Sequence, residues 1–242
     1  AANLDGHIRL IRAAAEQHVR LLVFPEVSLT GYELDIADDL AFTGGDRRLR
    51  PLIQLASSWD MILVVGARVR IGAALLIGAF IVFPDGSVDL YTKHRLGAFP
   101  PDVSPDGRVP PAEATVFQPG NLNPLVRFDG HTAAVAVCAD IGRPSHPREA
   151  ADRGAKTYLA SMFVIPQDLE QDTARLSSYA AQYSMAVVFA NYGGPSGGLP
   201  SGGRSAIWSD GGELLVRLEP TGWGLAVATE SENGWRSKAI SL

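Results

Sequence analysis

The chain has 242 residues, of which 46% are hydrophobic and 19% charged, with a formal net charge of −5 and a single cysteine. That length suits one large domain with a substantial core, and the apolar fraction excludes a disordered chain. The acidic balance, with Lys and Arg scattered, excludes a general nucleic-acid binder, and one cysteine cannot close an intramolecular disulfide.

In chain order, Leu4, Ile8, Ile11, Ala15 and Val19 recur at helical spacing and predict a helix over residues 4–19. A strand is expected at 20–24. A second helix is expected at 49–59, with Leu49, Leu52, Ile53, Leu55 and Ala56 as its apolar stripe. Residues 62–69, 74–83 and 88–91 are β-rich, and Pro84-Asp85-Gly86 marks a hairpin between the last two. The apolar stretch 73–83 is about half of what a bilayer span needs. Residues 100–111 carry five prolines (Pro100, Pro101, Pro105, Pro110 and Pro111) and read as a long loop.

Further on, the apolar run 132–140 reads as a buried strand with Cys138 at its end. Residues 148–152 are helical and stop at Gly154. Strands at 157–163 and 186–191 flank a helix at 169–183, and the Gly-, Pro- and Ser-rich stretch 193–203 is a loop. Residues 207–208, 213–218 and 224–229 predict a terminal β-meander. Interleaved strands and helices, with hairpins among them, favour a mixed sheet system with helices on the outer faces. No basic and apolar leader opens the sequence, so the expected location is cytoplasmic, with no membrane partner.

Three strand ends carry chemistry. Cys138 closes one apolar run, Glu26 follows Leu21-Leu22-Val23-Phe24-Pro25, and Lys93 ends Leu90-Tyr91-Thr92. A thiol becomes a useful nucleophile when it loses its proton. Glu26 suits the general base. Lys93 suits both thiolate stabilisation and the oxyanion of an attacked carbonyl, with the Ala139 backbone N–H as a second oxyanion donor. Taken singly, each has a plainer reading: a buried structural cysteine, a loop cap, a solvated strand end. The ordered combination outweighs them.

The same residues resemble the nitrilase superfamily of carbon–nitrogen hydrolases. Phe24-Pro25-Glu26 with Leu29-Thr30-Gly31-Tyr32 is similar to the family's glutamate motif. Tyr91-Thr92-Lys93-His94-Arg95-Leu96 is similar to its lysine motif, and Val137-Cys138-Ala139-Asp140 to its cysteine motif. Gly154-Ala155, Asn191, Gly203-Arg204-Ser205 and Asp210-Gly211 fit the pattern beyond. The resemblance implies an α/β fold, a four-layer α-β-β-α sandwich with two mixed β-sheets flanked by helices, in a single domain over 1–242. It also implies a Glu26–Lys93–Cys138 triad and a homodimer or higher homo-oligomer. Glu113, placed before Phe117-Gln118-Pro119-Gly120, corresponds to a fourth carboxylate of amidase branches, near the lysine; its plainer reading is an exposed loop carboxylate. The implied reaction converts a small linear amide or N-carbamoyl compound to acid and ammonia through a cysteine thioester. The alternatives are a nitrilase and a non-catalytic binding protein on the same fold.

The chain also departs from that family. Gly142 and Ser145 stand where an arginine and a glutamate are usual, small Ala139 where bulkier residues are common, and Tyr179-Ala180-Ala181-Gln182-Tyr183 where the later helix usually carries Arg-Ala-x-Glu-Asn. The family's first strand is missing ahead of the first helix, which predicts a truncated record that intact mass would test.

Tyr32, Met162 and Phe163 are candidates to line a substrate pocket, against the plainer reading of core residues. Asp140 is expected to tie down the turn after the cysteine, and His146 to be a loop residue near the pocket. His94 is a weak candidate for a Cys–His pair, and a papain-like protease does not suit the local pattern. The glycines of 193–198 do not open a helix and lack a lysine, which argues against a phosphate loop. No metal-ligand spacing is present, so neither metal nor cofactor is expected.

Overall fold

The computed structural model describes residues 2–34, 37–100, 103 and 111–242. Pro101, Pro105 and Pro110 of the expected proline-rich loop lie outside the described residues. The chain divides into two compact units, Ala1–Asn123 with Ser196–Leu199, and Pro124–Pro195 with Pro200–Leu242.

The first unit opens with α1 (Ala2–Ala15), β1 (Leu21–Val23) and α2 (Ala37–Leu40), followed by α3 (Arg50–Trp59), β2 (Ile62–Ile71), β3 (Ala74–Val82) and β4 (Val88–Thr92). Helix α1 stops four residues before the expected end. His18 takes a left-handed φ of 56°, and the Val19 N–H returns to the Ala14 carbonyl at 3.2 Å, closing the helix where the spacing alone would have continued it. Helix α3 begins with Pro51 in its first turn, where a missing N–H does no harm, and ends on left-handed Asp60.

Strands line up in the order β1-β2-β3-β4, with β1 parallel to β2 and the other pairs antiparallel. Most of β2 and β3 is buried on both faces, which explains why their sequences are continuous apolar runs rather than alternating ones. The β3–β4 hairpin turns at Gly86, φ 87°, and the Asp85 carboxylate accepts from the Ser87 N–H at 2.8 Å.

The second unit holds β5 (Leu125–Phe128), β6 (His131–Val137), α4 (Ser145–Asp152), β7 (Thr157–Ser161), α5 (Leu169–Tyr183), β8 (Ala186–Ala190), β9 (Ala206–Trp208) and β10 (Leu214–Arg217). Its sheet runs β10-β9-β8-β7-β6-β5. The β6, β7 and β8 pairings are parallel, as the two helical crossovers α4 and α5 require, and the outer pairings are antiparallel. Ala150 of α4 and Leu176 and Ala180 of α5 share one buried core with Val187 of the sheet and with Ile141 and Met185 beside it.

Each unit therefore has a mixed sheet with helices packed on it, the α/β class expected. Two details differ. The four-residue β5 was not foreseen. The terminal strands do not form one meander either: β11 (Gly224–Ser231) pairs along its whole length with a further strand, β12 (Gly234–Ser241), as a separate antiparallel hairpin. Among the described residues no helix is long and apolar enough to cross a membrane.

Candidate active site

Glu26 lies just past β1, in a segment led off the sheet by Phe24, whose N–H bonds the Val64 carbonyl at 2.8 Å. Residues 27–31 then form a tight turn in which the Thr30 and Gly31 N–H groups both return to the Val27 carbonyl, at 2.9 and 2.7 Å. Val27 has φ 44°, a left-handed conformation that a β-branched residue adopts only when its surroundings force it. One cause is visible beneath it. A Cβ on Gly66 of β2 would stand 2.3 Å from the Pro25 carbonyl oxygen and 2.4 Å from the Val27 nitrogen, so the turn rests directly on bare backbone. Arg68, two residues along β2 and fully buried, donates from Nη2 to the Gly31 carbonyl at 3.0 Å and holds the far end of the turn.

Lys93 follows β4. Its N–H bonds the Ile77 carbonyl and its own carbonyl accepts from the Gly120 N–H, both at 2.8 Å, so its backbone is fixed from two sides. Gly120 has no room for a side chain: a Cβ would lie 2.2 Å from Thr92 Oγ1. Lys93 Nζ donates to Glu26 Oε1 at 2.7 Å and to Glu113 Oε1 at 2.8 Å, and all three side chains are at most 2% exposed. The Tyr32 hydroxyl donates to the same Glu113 Oε1, while Glu113 Oε2 accepts from the Gly97 N–H at 2.7 Å. Two carboxylates thus share one ammonium in a place nearly without water. Charges buried this way persist only when paired and hydrogen-bonded, as these are.

The sequence-predicted Glu26, Lys93 and Glu113 are therefore brought together, and Tyr32 joins them through its hydroxyl. Glu113 is a buried member of the cluster, not an exposed loop carboxylate. Tyr32 is anchored further by its N–H to Ser196 Oγ at 2.9 Å and an edge-on contact with Phe99 at 5.5 Å. His94 stacks on Tyr91 at 5.2 Å.

In the second unit, Cys138 is the first residue of a 3-10 turn, Cys138–Gly142, that breaks off from β6. Its φ is 44°, left-handed, in a residue that ordinarily avoids that region. The half-buried thiol faces the Phe163 carbonyl with Sγ 3.6 Å away. Asp140, fully buried, accepts the Val137 N–H on Oδ2 at 3.1 Å and ties the turn to the strand it leaves, as expected of it. Ala139 is part-exposed, and Met162 and Phe163 are buried beyond β7.

The segment bearing Phe163 is held by Asn191. Its Oδ1 accepts from the Val164 N–H at 2.9 Å, and its Nδ2 donates to the Val164 and Gly203 carbonyls at 3.2 and 3.0 Å. His146 differs from the expectation: it is buried in the first turn of α4, with Nδ1 2.8 Å from the Tyr158 hydroxyl. Burial, reinforced by the Asp140 charge, pushes the Tyr158 phenol well above its usual value, so it remains protonated.

Gly66 and Arg68 went unnoticed in the sequence. An isolated glycine in a strand signals close backbone approach, and that signal was present at Gly66. Nothing in the sequence marks Arg68 as buried. Among the described residues no cluster of three His, Cys, Asp or Glu side chains is arranged to hold a metal ion.

The family model for carbon-nitrogen hydrolases matches residues 1–238, and the chain belongs to that family. Among solved structures it is similar to a mutant of the Nesterenkonia sp. AN1 amidase, a member of the nitrilase superfamily, that shows Michael addition of acrylamide at the active-site cysteine. The identity is 26%, the TM-score 0.78, and the match covers 91% of this chain and 84% of that one. A double mutant of the same amidase in complex with acrylamide matches at 26% identity and TM-score 0.77, over 90% of this chain and 80% of that one. The glutamine-dependent NAD(+) synthetase of Acinetobacter baylyi is 26% identical over 224 residues, 89% of this chain. The chain spans 39% of that relative's length.

Proposed function

We propose that the two units form one catalytic domain that hydrolyses a small linear amide or N-carbamoyl compound to acid and ammonia through a Cys138 thioester. The observation that carries this reading is the buried Lys93 ammonium held between Glu26 and Glu113. A pair of carboxylates around one fixed cation is equipped to accept a proton and to oppose a developing oxyanion in the same place.

In this reading Glu26 takes the Cys138 proton as sulfur attacks the carbonyl carbon. The C–O double bond opens to an oxyanion, which Lys93 Nζ and the Ala139 N–H stabilise. Collapse breaks the C–N bond, with Glu26 returning its proton to the departing nitrogen. Glu26 then deprotonates a water that attacks the thioester. The carboxylic acid leaves and the proton returns to sulfur. Glu113 acts through Lys93, fixing its ammonium, with Tyr32 fixing Glu113 in turn. Tyr32, Met162 and Phe163 are proposed at the edge of the acyl pocket. The likeness to an amidase that holds acrylamide supports an amide substrate.

A second reading, favoured by the likeness to a glutamine-dependent synthetase, takes the side-chain amide of glutamine as substrate. Both belong with a cytoplasmic protein acting as a homodimer or higher homo-oligomer. The test is ammonia release from acetamide, propionamide, acrylamide, glutamine, an N-carbamoyl amine and short nitriles, run beside Cys138→Ala. Release from an amide that disappears in the variant is the expected result. Release from nitriles alone would make the protein a nitrilase. A folded protein inert towards all of them would favour a binding role on the same fold.

A further inference from the structure

Cys138 is held at φ 44°, a conformation that relaxes unless the residues after it are pinned. Asp140 pins one side of the turn, through Val137. The other side is pinned from α5. The Tyr179 hydroxyl, buried 38 residues further along the chain, donates to the Ile141 carbonyl at 2.9 Å. This carbonyl lies in the turn that Cys138 opens, whose Ile141 side chain packs in one core with Leu176 and Ala180 of α5. Tyr179 occupies the place where the usual family pattern has an arginine.

We infer that Tyr179 is a positioning residue for the proposed nucleophile: its hydroxyl bond to Ile141 holds the turn that keeps Cys138 left-handed and its thiol aimed. The inference rests on the thioester reading above and adds a residue to it. Burial raises the phenol's pKa, so the donor stays protonated throughout the neutral range. Support also comes from the side. The Arg143 N–H returns to the Asp140 carbonyl at 3.1 Å, and the His146 N–H to the Arg143 carbonyl at 3.0 Å, so the turn runs without slack into α4. His146 is itself fixed on Tyr158. The phenol bonds the turn at the Ile141 carbonyl, between Asp140 and the Arg143 link to α4.

Tyr179→Phe removes one oxygen and preserves the ring's packing. Tyr183→Phe, on the same helix, removes a hydroxyl that lies 3.5 Å from the Pro144 carbonyl near the surface, and serves as the control. Two rates are read on the full chain: alkylation of Cys138 by iodoacetamide, and kcat and KM for the best amide of the panel. Loss of one net hydrogen bond predicts a fall of about fivefold to tenfold in alkylation rate and in kcat for Tyr179→Phe, with KM changed less than about twofold. Tyr183→Phe should match the wild type in both. Tyr179→Met, which also lacks the donor, replaces Tyr179→Phe in the assay if the latter does not fold, with the same fall expected.

Wild-type alkylation and kcat in Tyr179→Phe overturn the inference, as does an equal loss in Tyr183→Phe, which would assign the effect to helix docking. Failure of the hydrolase reading looks different. The wild type would then release no ammonia from any substrate, while the alkylation rates still decide the role of Tyr179.

Discussion

Gly66 lies beneath Glu26 with no space for even a methyl group: a Cβ would stand 2.8 Å from the Glu26 carbonyl carbon and closer still to its neighbours on either side. All the atoms in the way are backbone, so no side chain can swing aside. Gly66→Ala must therefore push residues 25–27 off β2 or distort β2 itself. The expected cost is about 1–3 kcal/mol in urea unfolding, the usual range for overpacking. Amide hydrolysis should fall more than stability suggests, with kcat rather than KM affected, because Glu26 moves with the turn. A Gly66→Ala protein with wild-type kcat would show that the position of Glu26 is not set from below.

Lys93 and Glu113 make the next case. Glu113 uses both oxygens as acceptors, Oε1 from Lys93 Nζ and the Tyr32 hydroxyl, Oε2 from the Gly97 N–H. An amide has one oxygen to offer, so Glu113→Gln must forfeit one side of this arrangement. It also leaves Lys93 with Glu26 as its remaining carboxylate partner in the trio. A fall in kcat of at least about tenfold is expected, since about 1.4 kcal/mol of lost stabilisation suffices for it. Lys93→Met strands two buried carboxylates without their cation and should cost about 3–5 kcal/mol of stability. Chemical denaturation and ammonia release read both, and Lys93→Met as stable as the wild type would contradict the charge arrangement.

The strand-end residues were legible because apolar runs of β length stop abruptly at Glu26, Lys93 and Cys138, and polar groups at such ends need a reason. The partnership of Lys93 with Glu113 was legible only through family resemblance, since nothing in the spacing of a proline-rich loop tells which carboxylate folds inward. Strand β5 went unread although Asp129-Gly130, at φ 47° and 77°, is a hairpin signal; a four-residue strand with Arg127 in it shows too little alternation. Strand β12 was missed for a related reason. Its residues are mostly exposed, so burial imposes no pattern on them. Asn191 was visible as part of a motif, but its work is to bond backbone groups, which leave no trace in sequence.

Asn191 gives a prediction that separates lost bonds from reversed ones. Its amide oxygen accepts once and its nitrogen donates twice, all to backbone of buried segments. Asn191→Ala loses these bonds and should cost about 2–4 kcal/mol, at roughly 1 kcal/mol each plus the groups left unsatisfied. Asn191→Asp keeps the shape but directs an oxygen at the Val164 and Gly203 carbonyls. It should therefore be at least as destabilising as Asn191→Ala at neutral pH, and should recover on acidification as the carboxyl gains a donor proton. Equal stability of Asn191→Asp and the wild type at pH 7 would mean that the side chain does not donate to the Val164 and Gly203 carbonyls.

His7 ties acid stability to the Glu26 turn. Its Nδ1 lies 2.6 Å from the Asn3 carbonyl, which can only accept, so Nδ1 carries the proton. Nε2, 3.0 Å from Ser28 Oγ, is then the acceptor for the serine hydroxyl, and the ring packs against Phe24 at 4.2 Å. Burial lowers the His7 pKa from 6.5 to about 4, outweighing the opposite effect of the Asn3 bond. Folding therefore favours the neutral ring. Its stabilisation is complete above pH 6.5, where unfolded histidine is also neutral, and is lost as the pH falls towards 4. The whole loss amounts to about 3 kcal/mol at the conversion of ~1.4 kcal/mol per unit. His7→Gln removes the titration, so its urea midpoint should fall less steeply than the wild type's between pH 7 and pH 4.5. Parallel curves for the two proteins would show that His7 is not held neutral, and that acid reaches the Glu26 turn by some other group.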